Sequence, residues 1–127
     1  MVGIVLVSHS SELARGLADL ASQVAGTEVR VEPAGGGPGG SLGTNGDAVR
    51  DAILRADCGQ GVVVLADLGS AVLTVRHVLE GQANGHIRLV DAPFVEGAVA
   101  AAVMSSAGQA LEDVVRAAEE ARGASKF

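Results

Sequence analysis

Four short segments of this 127-residue chain are rich in apolar residues and have the length of strands. They cover residues 2–7, 27–33, 61–67 and 86–91. The first and third are apolar almost throughout, which predicts strands that are buried on both faces, as in a parallel sheet. The second alternates polar with apolar residues, which predicts a strand nearer the edge of the sheet, closed by Pro33.

The segments between and after these strands carry apolar residues at helical spacing. They predict helices over residues 11–24, 47–56, 71–79, 98–104 and 109–122. The predicted apolar face of the first helix consists of Leu13, Leu17, Leu20, Ala21 and Val24. Ser10 or Ser11 is the candidate N-cap of this helix, and Thr44 or Asn45 is that of the second. The fourth helix is so uniformly small and apolar that we expect it to lie in the core or to form a subunit interface.

This order of elements predicts an α/β fold: an open, mainly parallel four-stranded sheet (order 2-1-3-4) with helices on both faces. We expect residues 1–127 to form a single domain, since the length fits one layered core. Sheets of this kind bind ligands beyond the carboxyl ends of the strands, where the strand order reverses. His9 and Asp67 follow the first and third strands, so we expect them to face each other across that crevice.

The composition excludes several classes of function. A net charge of -6 and a pI near 4.9 argue against nucleic-acid binding, which needs a basic surface. Lys126 is the only lysine, so neither a Schiff base nor a phosphate-binding lysine is expected near the site. Cys58 is the only cysteine, which excludes a disulfide framework. We expect Cys58 to be a small buried residue, as free cysteines typically are. We expect a cytoplasmic protein with no membrane segment, because no basic segment precedes the short N-terminal apolar run.

A histidine at a strand end can act as a nucleophile near neutral pH, because the unperturbed pKa of imidazole is about 6.5. Such an imidazole can accept a phosphoryl group, and His9 is the candidate for that role. Asp67 would hold the other ring nitrogen as N–H, although an N-cap of the following helix is an equally good interpretation of this aspartate. The groups that could donate to phosphoryl oxygens are hydroxyls and the backbone N–H groups at the starts of the helices that follow His9 and Asp67. They are Ser8, Ser10, Thr44, Ser70 and the backbone at Gly69.

His77 and His86 are interpreted as structural, since neither follows a strand, and the three histidines lack the spacing of metal ligands. We expect no metal and no cofactor. The glycine-rich segment of residues 34–46 contains Gly35, Gly37 and Gly40 at the spacing of a dinucleotide fingerprint. It follows the second strand, contains a proline and starts no helix, so we interpret it as a mobile loop that brings Thr44 to the rim of the site.

Four motifs resemble one known family. Each follows a different predicted strand: Val-Ser-His-Ser at residues 7–10, Leu-Gly-Thr at 42–44, Asp-Leu-Gly-Ser-Ala at 67–71 and Ala-Pro-Phe-Val-Glu-Gly-Ala at 92–98. Together they resemble the phosphocarrier subunit (DhaM type) of phosphotransferase-system-dependent dihydroxyacetone kinase, which is related to mannose-type IIA domains. The Asn-Gly pair that follows Thr44 departs from the pattern of that family and leaves the contact made by this loop undefined.

The resemblance implies that His9 is the phosphorylated residue and Asp67 its catalytic partner. The phosphoryl group would come from the carrier protein HPr and pass to ADP on the kinase's nucleotide-binding subunit, which phosphorylates dihydroxyacetone together with the dihydroxyacetone-binding subunit. The resemblance also implies a homodimer, for which the helix over residues 98–104 offers a surface.

Two other functions remain open on the sequence. One is the IIA domain of a mannose-type sugar phosphotransferase system, and the other is a non-catalytic regulatory or nucleotide-binding domain of the same fold. Partner proteins must reach His9, so we expect an accessible apolar contact zone around it. Leu68, Val72 and Phe94 are the candidates for that zone.

Overall fold

The computed structural model describes residues 1–37, 43–80 and 85–127. Four strands alternate with helices along the chain. The strands are β1 (Gly3–Ser8), β2 (Val31–Gly35), β3 (Val62–Ala66) and β4 (Ile87–Leu89). The helices are α1 (Ser11–Ala25), α2 (Gly46–Ala56), α3 (Gly69–Leu79), α4 (Phe94–Ser106) and α5 (Leu111–Glu120), and a short 3-10 turn (Ala121–Gly123) follows. Residues 38–42, which hold part of the predicted glycine-rich loop including Gly40, lie outside the described residues.

The four strands form one parallel sheet in the order β2-β1-β3-β4, which confirms the predicted fold class and strand order. β1 and β3 are the two central strands and pair in register, with Ile4 opposite Val63 and Leu6 opposite Leu65. The chain crosses from β1 outward to β2 and then back past β1 to β3. The carboxyl ends of β1 and β3 therefore flank the point at which the strand order reverses.

Alternate residues of the central strands enter two separate cores, one on each face of the sheet. Ile4, Leu6 and Leu65 pack beneath α1, α4 and α5, and Val5 and Val7 pack beneath α2 and α3. Valine, isoleucine, leucine and alanine fill both cores, in keeping with the 2% aromatic content. Because β1 and β3 are buried on both faces, their positions along the sheet are fixed. The positions of the residues that follow the two strands are therefore fixed as well.

The predicted bounds of β2 are wrong, because the strand begins at Val31 and continues through Pro33 to Gly35. A proline is tolerated here because β2 is an edge strand. Gly36 donates its N–H to the Ser8 carbonyl oxygen at 3.2 Å. Since N–H groups alternate in direction along a strand, the nitrogen of Pro33 lies on the side away from β1, where no ladder hydrogen bond is lost.

The predicted inner face of α1 is only partly right. The buried residues of this helix are Ala14, Leu17, Ala18 and Ala21. By contrast, Leu13, Leu20 and Val24 are 45%, 43% and 43% exposed. Small residues let the start of α1 approach the end of β2 closely: a Cβ on Gly35 would lie 2.7 Å from the Ser10 carbonyl oxygen and 2.9 Å from the Ala14 Cβ. The helix therefore turns its alanines toward the sheet and leaves three large apolar residues at one flank.

Helix α4 begins at Phe94, four residues earlier than predicted, directly after Pro93. Its small residues, including Ala98, Ala101 and Ala102, are buried against the sheet, so the helix lies in the core on that face. Its other flank carries Val95 and Val103, which are 44% and 47% exposed. The expectation that solvent hardly reaches this helix is wrong on that side.

Cys58 follows the end of α2, as expected, but it is exposed rather than buried. Its thiol donates a hydrogen bond to the Met1 carbonyl oxygen at 2.8 Å. No helix in the described ranges is both long enough and apolar enough to cross a membrane.

Candidate functional site

His9 and Asp67 meet beyond the carboxyl ends of β1 and β3, as predicted. The His9 Nδ1 lies 2.9 Å from the Asp67 Oδ1, and the two side chains are 23% and 11% exposed. The Asp67 backbone N–H also donates to the Val7 carbonyl oxygen at 3.1 Å, which continues the pairing of β1 with β3 past the end of the sheet. The sheet itself therefore sets the separation of the imidazole from the carboxylate.

The Asp67 carboxylate accepts three further hydrogen bonds. The Ser8 hydroxyl and the His9 backbone N–H donate to Oδ2 at 2.8 and 3.1 Å, and the Leu68 N–H donates to Oδ1 at 2.7 Å. Partial burial raises the pKa of Asp67, but the hydrogen bonds from Ser8, His9 and Leu68 outweigh it and hold this pKa below its ordinary value. Asp67 is therefore ionised near neutral pH.

An ionised carboxylate can only accept hydrogen bonds, so the His9 Nδ1 must be the donor in this pair. In a neutral imidazole the Nε2 atom then carries the lone pair. The Nε2 atom faces the Ser70 hydroxyl in direct contact on the exposed side of the ring. The geometry thus distinguishes the two nitrogens: Nδ1 is paired with an anion in a partly buried contact, and Nε2 meets a hydroxyl on the exposed side.

The N-cap interpretation of Asp67 is wrong. The N-cap position of α3 is Leu68, and no side chain makes a capping hydrogen bond there. The backbone of the first turn, including Gly69, therefore lies at the site without a side-chain cap. Positive partial charge at the starts of α1 and α3 favours an anion beside His9.

The predicted phosphoryl-binding residues differ in their present contacts. Ser10 is the N-cap of α1 and its hydroxyl accepts the Leu13 N–H at 3.2 Å. Thr44 shares a hydrogen bond of 2.7 Å with the Thr74 hydroxyl, which in turn donates to the Ser70 carbonyl oxygen at 3.2 Å. Of these three hydroxyl residues, only Ser70 contacts the imidazole.

The glycine of the Leu-Gly-Thr motif is hydrogen-bonded to the backbone of His9. The Gly43 N–H donates to the His9 carbonyl oxygen at 2.9 Å. This contact brings the end of the glycine-rich segment to the site, although Thr44 itself reaches Thr74 on α3 rather than His9. Asn45 caps α2, with its side chain accepting from Asp47 and Ala48, which settles the choice between Thr44 and Asn45.

Sequence reasoning missed the roles of two residues. Ser8 was predicted to donate to a phosphoryl group, but its side chain is fully buried and its hydroxyl donates to Asp67. Thr74 was not singled out at all. A signal existed for Ser8, because a polar residue that ends an apolar strand beside a histidine needs a partner. None existed for Thr74, whose partner Thr44 is thirty residues away.

The two other histidines lie away from this site. His86 Nε2 lies 3.0 Å from Asp57 Oδ1 at the opposite end of the sheet, and His77 forms an exposed pair with Glu80 at 3.4 Å. Within the described parts of the chain, no three histidine, cysteine or acidic side chains cluster in a way that would hold a metal ion.

Comparison with known proteins gives a consistent assignment. Residues 3–115 match the EIIA-man family, described as the PTS system fructose IIA component. The chain is 34% identical over 119 residues to the phosphoryl donor subunit DhaM of PEP-dependent dihydroxyacetone kinase 2 from Listeria innocua serovar 6a, and the match covers 91% of this chain and 95% of that protein. A similar match, 34% over 112 residues, relates it to the phosphotransferase subunit DhaM of the PTS-dependent dihydroxyacetone kinase of Lactococcus lactis, with 88% and 89% covered.

A longer relative contains this unit as one part. The DhaM subunit of Escherichia coli (strain K12) is 35% identical over 121 residues, which is 91% of this chain but only 26% of that protein. Among solved structures, the crystal structure of EF1359, a protein of unknown function, aligns over 100% of this chain and 99% of its own with a TM-score of 0.85 and 32% identity. A sigma-54 interaction domain protein from Enterococcus faecalis shares the fold, with a TM-score of 0.68 at 18% identity over 91% of this chain and 85% of its own. By its sequence match and by its fold, the chain belongs to the EIIA-man family, alongside the DhaM subunits.

Proposed function

We propose that this chain is the phosphocarrier subunit of a phosphotransferase-system-dependent dihydroxyacetone kinase. In this proposal His9 accepts a phosphoryl group from phospho-HPr and passes it to ADP bound on the nucleotide-binding subunit of the kinase. One observation carries the proposal: Asp67 binds the His9 Nδ1, which leaves the Nε2 atom as the accessible nucleophile at the switch point of the sheet. The names of the DhaM relatives support it. Residues 1–127 would act as one IIA-like domain in the cytoplasm.

The first transfer needs no additional acid or base. The lone pair of the His9 Nε2 attacks the phosphorus of the donor's phosphohistidine, and the N–P bond of the donor breaks as its electron pair returns to the donor nitrogen. The His9 ring keeps its proton at Nδ1 and gains positive charge, which the Asp67 carboxylate offsets. Ser70 is placed to move its hydroxyl from Nε2 to a phosphoryl oxygen.

The second transfer reverses these changes at the same nitrogen. A terminal phosphate oxygen of ADP attacks the phosphorus, the Nε2–P bond breaks, and its electrons return to Nε2. The product ATP then phosphorylates dihydroxyacetone on the dihydroxyacetone-binding subunit. Since the His9 side chain is partly exposed and the two partners come in turn, this chain needs an accessible nitrogen more than a closed substrate pocket.

The surroundings of His9 support an apolar contact zone for these partners. Leu68 and Leu73 are 62% and 64% exposed on either side of Ser70 in the sequence. Val72 lines a groove of about 440 Å³ that runs along the carboxyl ends of β3 and β4. Phe94 is partly buried at the start of α4. The exposure of Leu68 and Leu73 and the groove at Val72 support the proposed zone, whereas Phe94 packs partly against the core.

A homodimer is supported by the exposed flanks of α1 and α4. The two helices pack against each other, and each leaves large apolar residues in solvent. They are Leu13, Leu20, Val24, Val95 and Val103. A Val103→Asp variant should then be monomeric by light scattering, whereas Leu54→Asp, at an exposed leucine on the other face of the sheet, should behave as the wild type. An identical mass for both variants would contradict a dimer through this surface.

The direct test of the carrier role is labelling. The protein is incubated with phosphoenolpyruvate, enzyme I and HPr, and intact-mass spectrometry follows the gain of an acid-labile phosphate. His9→Ala should take up no label, whereas His86→Ala, at the other histidine paired with an aspartate, should be labelled as the wild type is. The proposal fails if wild-type protein stays unlabelled or if His9→Ala is labelled.

The IIA domain of a sugar phosphotransferase system is the second candidate, because the matched family is described as a fructose IIA component. Labelled protein separates the two functions. Addition of the two kinase subunits with ADP should discharge the phosphate if the kinase role is right, while a sugar-specific IIB protein should leave it in place. A nucleotide-binding regulatory domain would instead bind ADP in calorimetry without being phosphorylated.

A further inference from the structure

Ser8 is one of two polar residues that are fully buried in the described parts of the chain; the other is Ser105. The Ser8 hydroxyl donates to the Asp67 Oδ2 at 2.8 Å and accepts the Ser10 backbone N–H at 3.0 Å. Ser8 is the last residue of β1 and Ser10 is the N-cap of α1. One hydroxyl thus joins the central strand, the orienting carboxylate and the helix that begins beyond His9.

We propose that Ser8 is a positioning residue that fixes the rotamer of the Asp67 carboxylate and, through it, the tautomer of His9. Only the effect of Ser8 on phosphoryl transfer rests on the proposed function. Its effect on the tautomer of the His9 imidazole does not. Ser8 has no direct contact with the ring, and its exposure of 0% keeps it from an incoming phosphoryl group.

The arrangement of donors explains why this hydroxyl matters. Asp67 Oδ1 accepts from the His9 Nδ1 and the Leu68 N–H, while Oδ2 accepts from the His9 backbone and from Ser8. Without the Ser8 hydroxyl, Oδ2 keeps only the His9 N–H at 3.1 Å, the longest of the four hydrogen bonds, so the carboxylate is held less firmly against rotation about its bond to Cβ. A rotated carboxylate holds the Nδ1–H less firmly, so more of the imidazole carries its proton on Nε2 and is unable to attack phosphorus.

Burial makes the effect specific to the hydroxyl. Water cannot take the place of a group that is completely enclosed, so its removal leaves both Asp67 and the Ser10 N–H short of one partner. Ser105 offers a matched control. Its side chain is also fully buried and donates one hydrogen bond, to the Val2 carbonyl oxygen at 2.5 Å, but it has no contact with the site.

The experiment compares Ser8→Ala with Ser105→Ala in the full chain. Nitrogen-15 NMR of the His9 ring reports the tautomer, and quenched-flow labelling from phospho-HPr reports transfer. Ser8→Ala should increase the Nε2–H tautomer and slow transfer by about tenfold, the lower end of the range for a residue that orients a functional group. Ser105→Ala should leave the tautomer unchanged and transfer within about twofold.

A double-mutant cycle tests the route through Asp67. In the Asp67→Ala background, Ser8→Ala should have no additional effect on either readout, since the carboxylate through which it acts is gone. Ser8→Cys fills the site with a slightly larger group that is a weaker donor, and should show an intermediate tautomer shift; it provides the readout if Ser8→Ala fails to fold.

Two results would overturn the proposal: a Ser8 variant with the wild-type tautomer, or a full effect of Ser8→Ala in the Asp67→Ala background. Failure of the carrier role looks different. In that case the wild type takes up no phosphate from phospho-HPr, while the tautomer shift in Ser8→Ala still decides the role of Ser8.

Discussion

The described part of the molecule contains two histidine–aspartate pairs of nearly equal separation, one at each end of the sheet. His9 and Asp67 are 2.9 Å apart beyond the carboxyl ends of the central strands, and His86 and Asp57 are 3.0 Å apart beside the amino end of β4. Both pairs are partly exposed, and hydrogen bonds lower the pKa of both aspartates. Distance and electrostatics alone therefore do not distinguish the proposed phosphorylation site from the second pair.

The difference lies in which nitrogen binds the carboxylate and in what surrounds it. Asp67 binds the Nδ1 of His9, whereas Asp57 binds the Nε2 of His86. Asp57 is the C-cap residue of α2 and also accepts the Gly59 N–H, so its bonds close a turn between secondary-structure elements. The first pair lies between two helix N-termini at the switch point of the sheet, while the second lies near a helix C-terminus, where an anion is disfavoured. Position in the fold is therefore what separates the two pairs.

The sharpest comparison is between Asp67→Ala and Asp57→Ala. Loss of Asp67 should slow phosphorylation of His9 by about 10- to 100-fold, because the carboxylate holds the ring in its nucleophilic tautomer. Loss of Asp57 should change the rate by no more than about twofold, since its partner His86 lies at the opposite end of the sheet from His9. Quenched-flow labelling of both variants, checked for folding by circular dichroism, gives the rates. Equal rates in the two variants would show that the pairs do not differ in the way proposed.

A smaller effect is expected from removal of the Ser70 hydroxyl, which contacts the imidazole of the first pair. Ser70→Ala removes the group in contact with the His9 Nε2, and should slow transfer by about 3- to 10-fold, the value of one hydrogen bond. Ser106→Ala is the control, because that hydroxyl donates to the Val103 carbonyl oxygen at 2.8 Å, one turn earlier in its own helix. Single-turnover labelling measures both. A Ser70→Ala rate equal to that of the control would leave Ser70 without a role in transfer.

The smallest effect concerns stability at acid pH, where the two pairs should behave alike. A pKa that is lowered in the folded state stabilises the fold at pH values above the unfolded pKa of about 3.9, and this contribution disappears as the pH falls through the folded pKa. The wild type should therefore have a larger free energy of unfolding than Asp67→Ala, and this advantage should be about 1 kcal/mol larger at pH 6 than at pH 2.5. Urea titrations at the two pH values measure the difference. A difference that is independent of pH would contradict the lowered pKa of Asp67.

Much of the fold and the centre of the site were predictable from local patterns. The apolar strands 2–7 and 61–67 required burial on both faces, which fixed a parallel sheet and placed His9 and Asp67 at neighbouring strand ends. Residue type alone narrowed each N-cap to two neighbouring candidates, of which Ser10 and Asn45 are the caps in the structure. These predictions succeeded because each depends on a few adjacent residues and on a general rule of sheet topology.

The errors arose where packing between residues that are distant in sequence determines which side chains are buried or paired. The leucines of α1 form a more obvious apolar stripe than its alanines, yet Ala14 and Ala18 face the sheet because Gly35 lets the helix approach closely. Pro33 looks like a strand terminator until the strand is known to lie at the edge. The pairing of Ser8 with Asp67 depends on the register of β1 with β3, which no pattern within either segment contains.

The glycine-rich segment is fastened at both of its ends to neighbouring residues of the site. Gly36 donates to the Ser8 carbonyl oxygen and Gly43 to that of His9, at 3.2 and 2.9 Å. Chain inserted between these two anchors would add little closure entropy, because that cost rises only with the logarithm of loop length. A short reporter peptide or a fluorophore attachment site inserted between these two anchors would thus be tethered on both sides to the strand end that carries His9, and should signal each partner's arrival if the proposed phosphorylation of His9 is right.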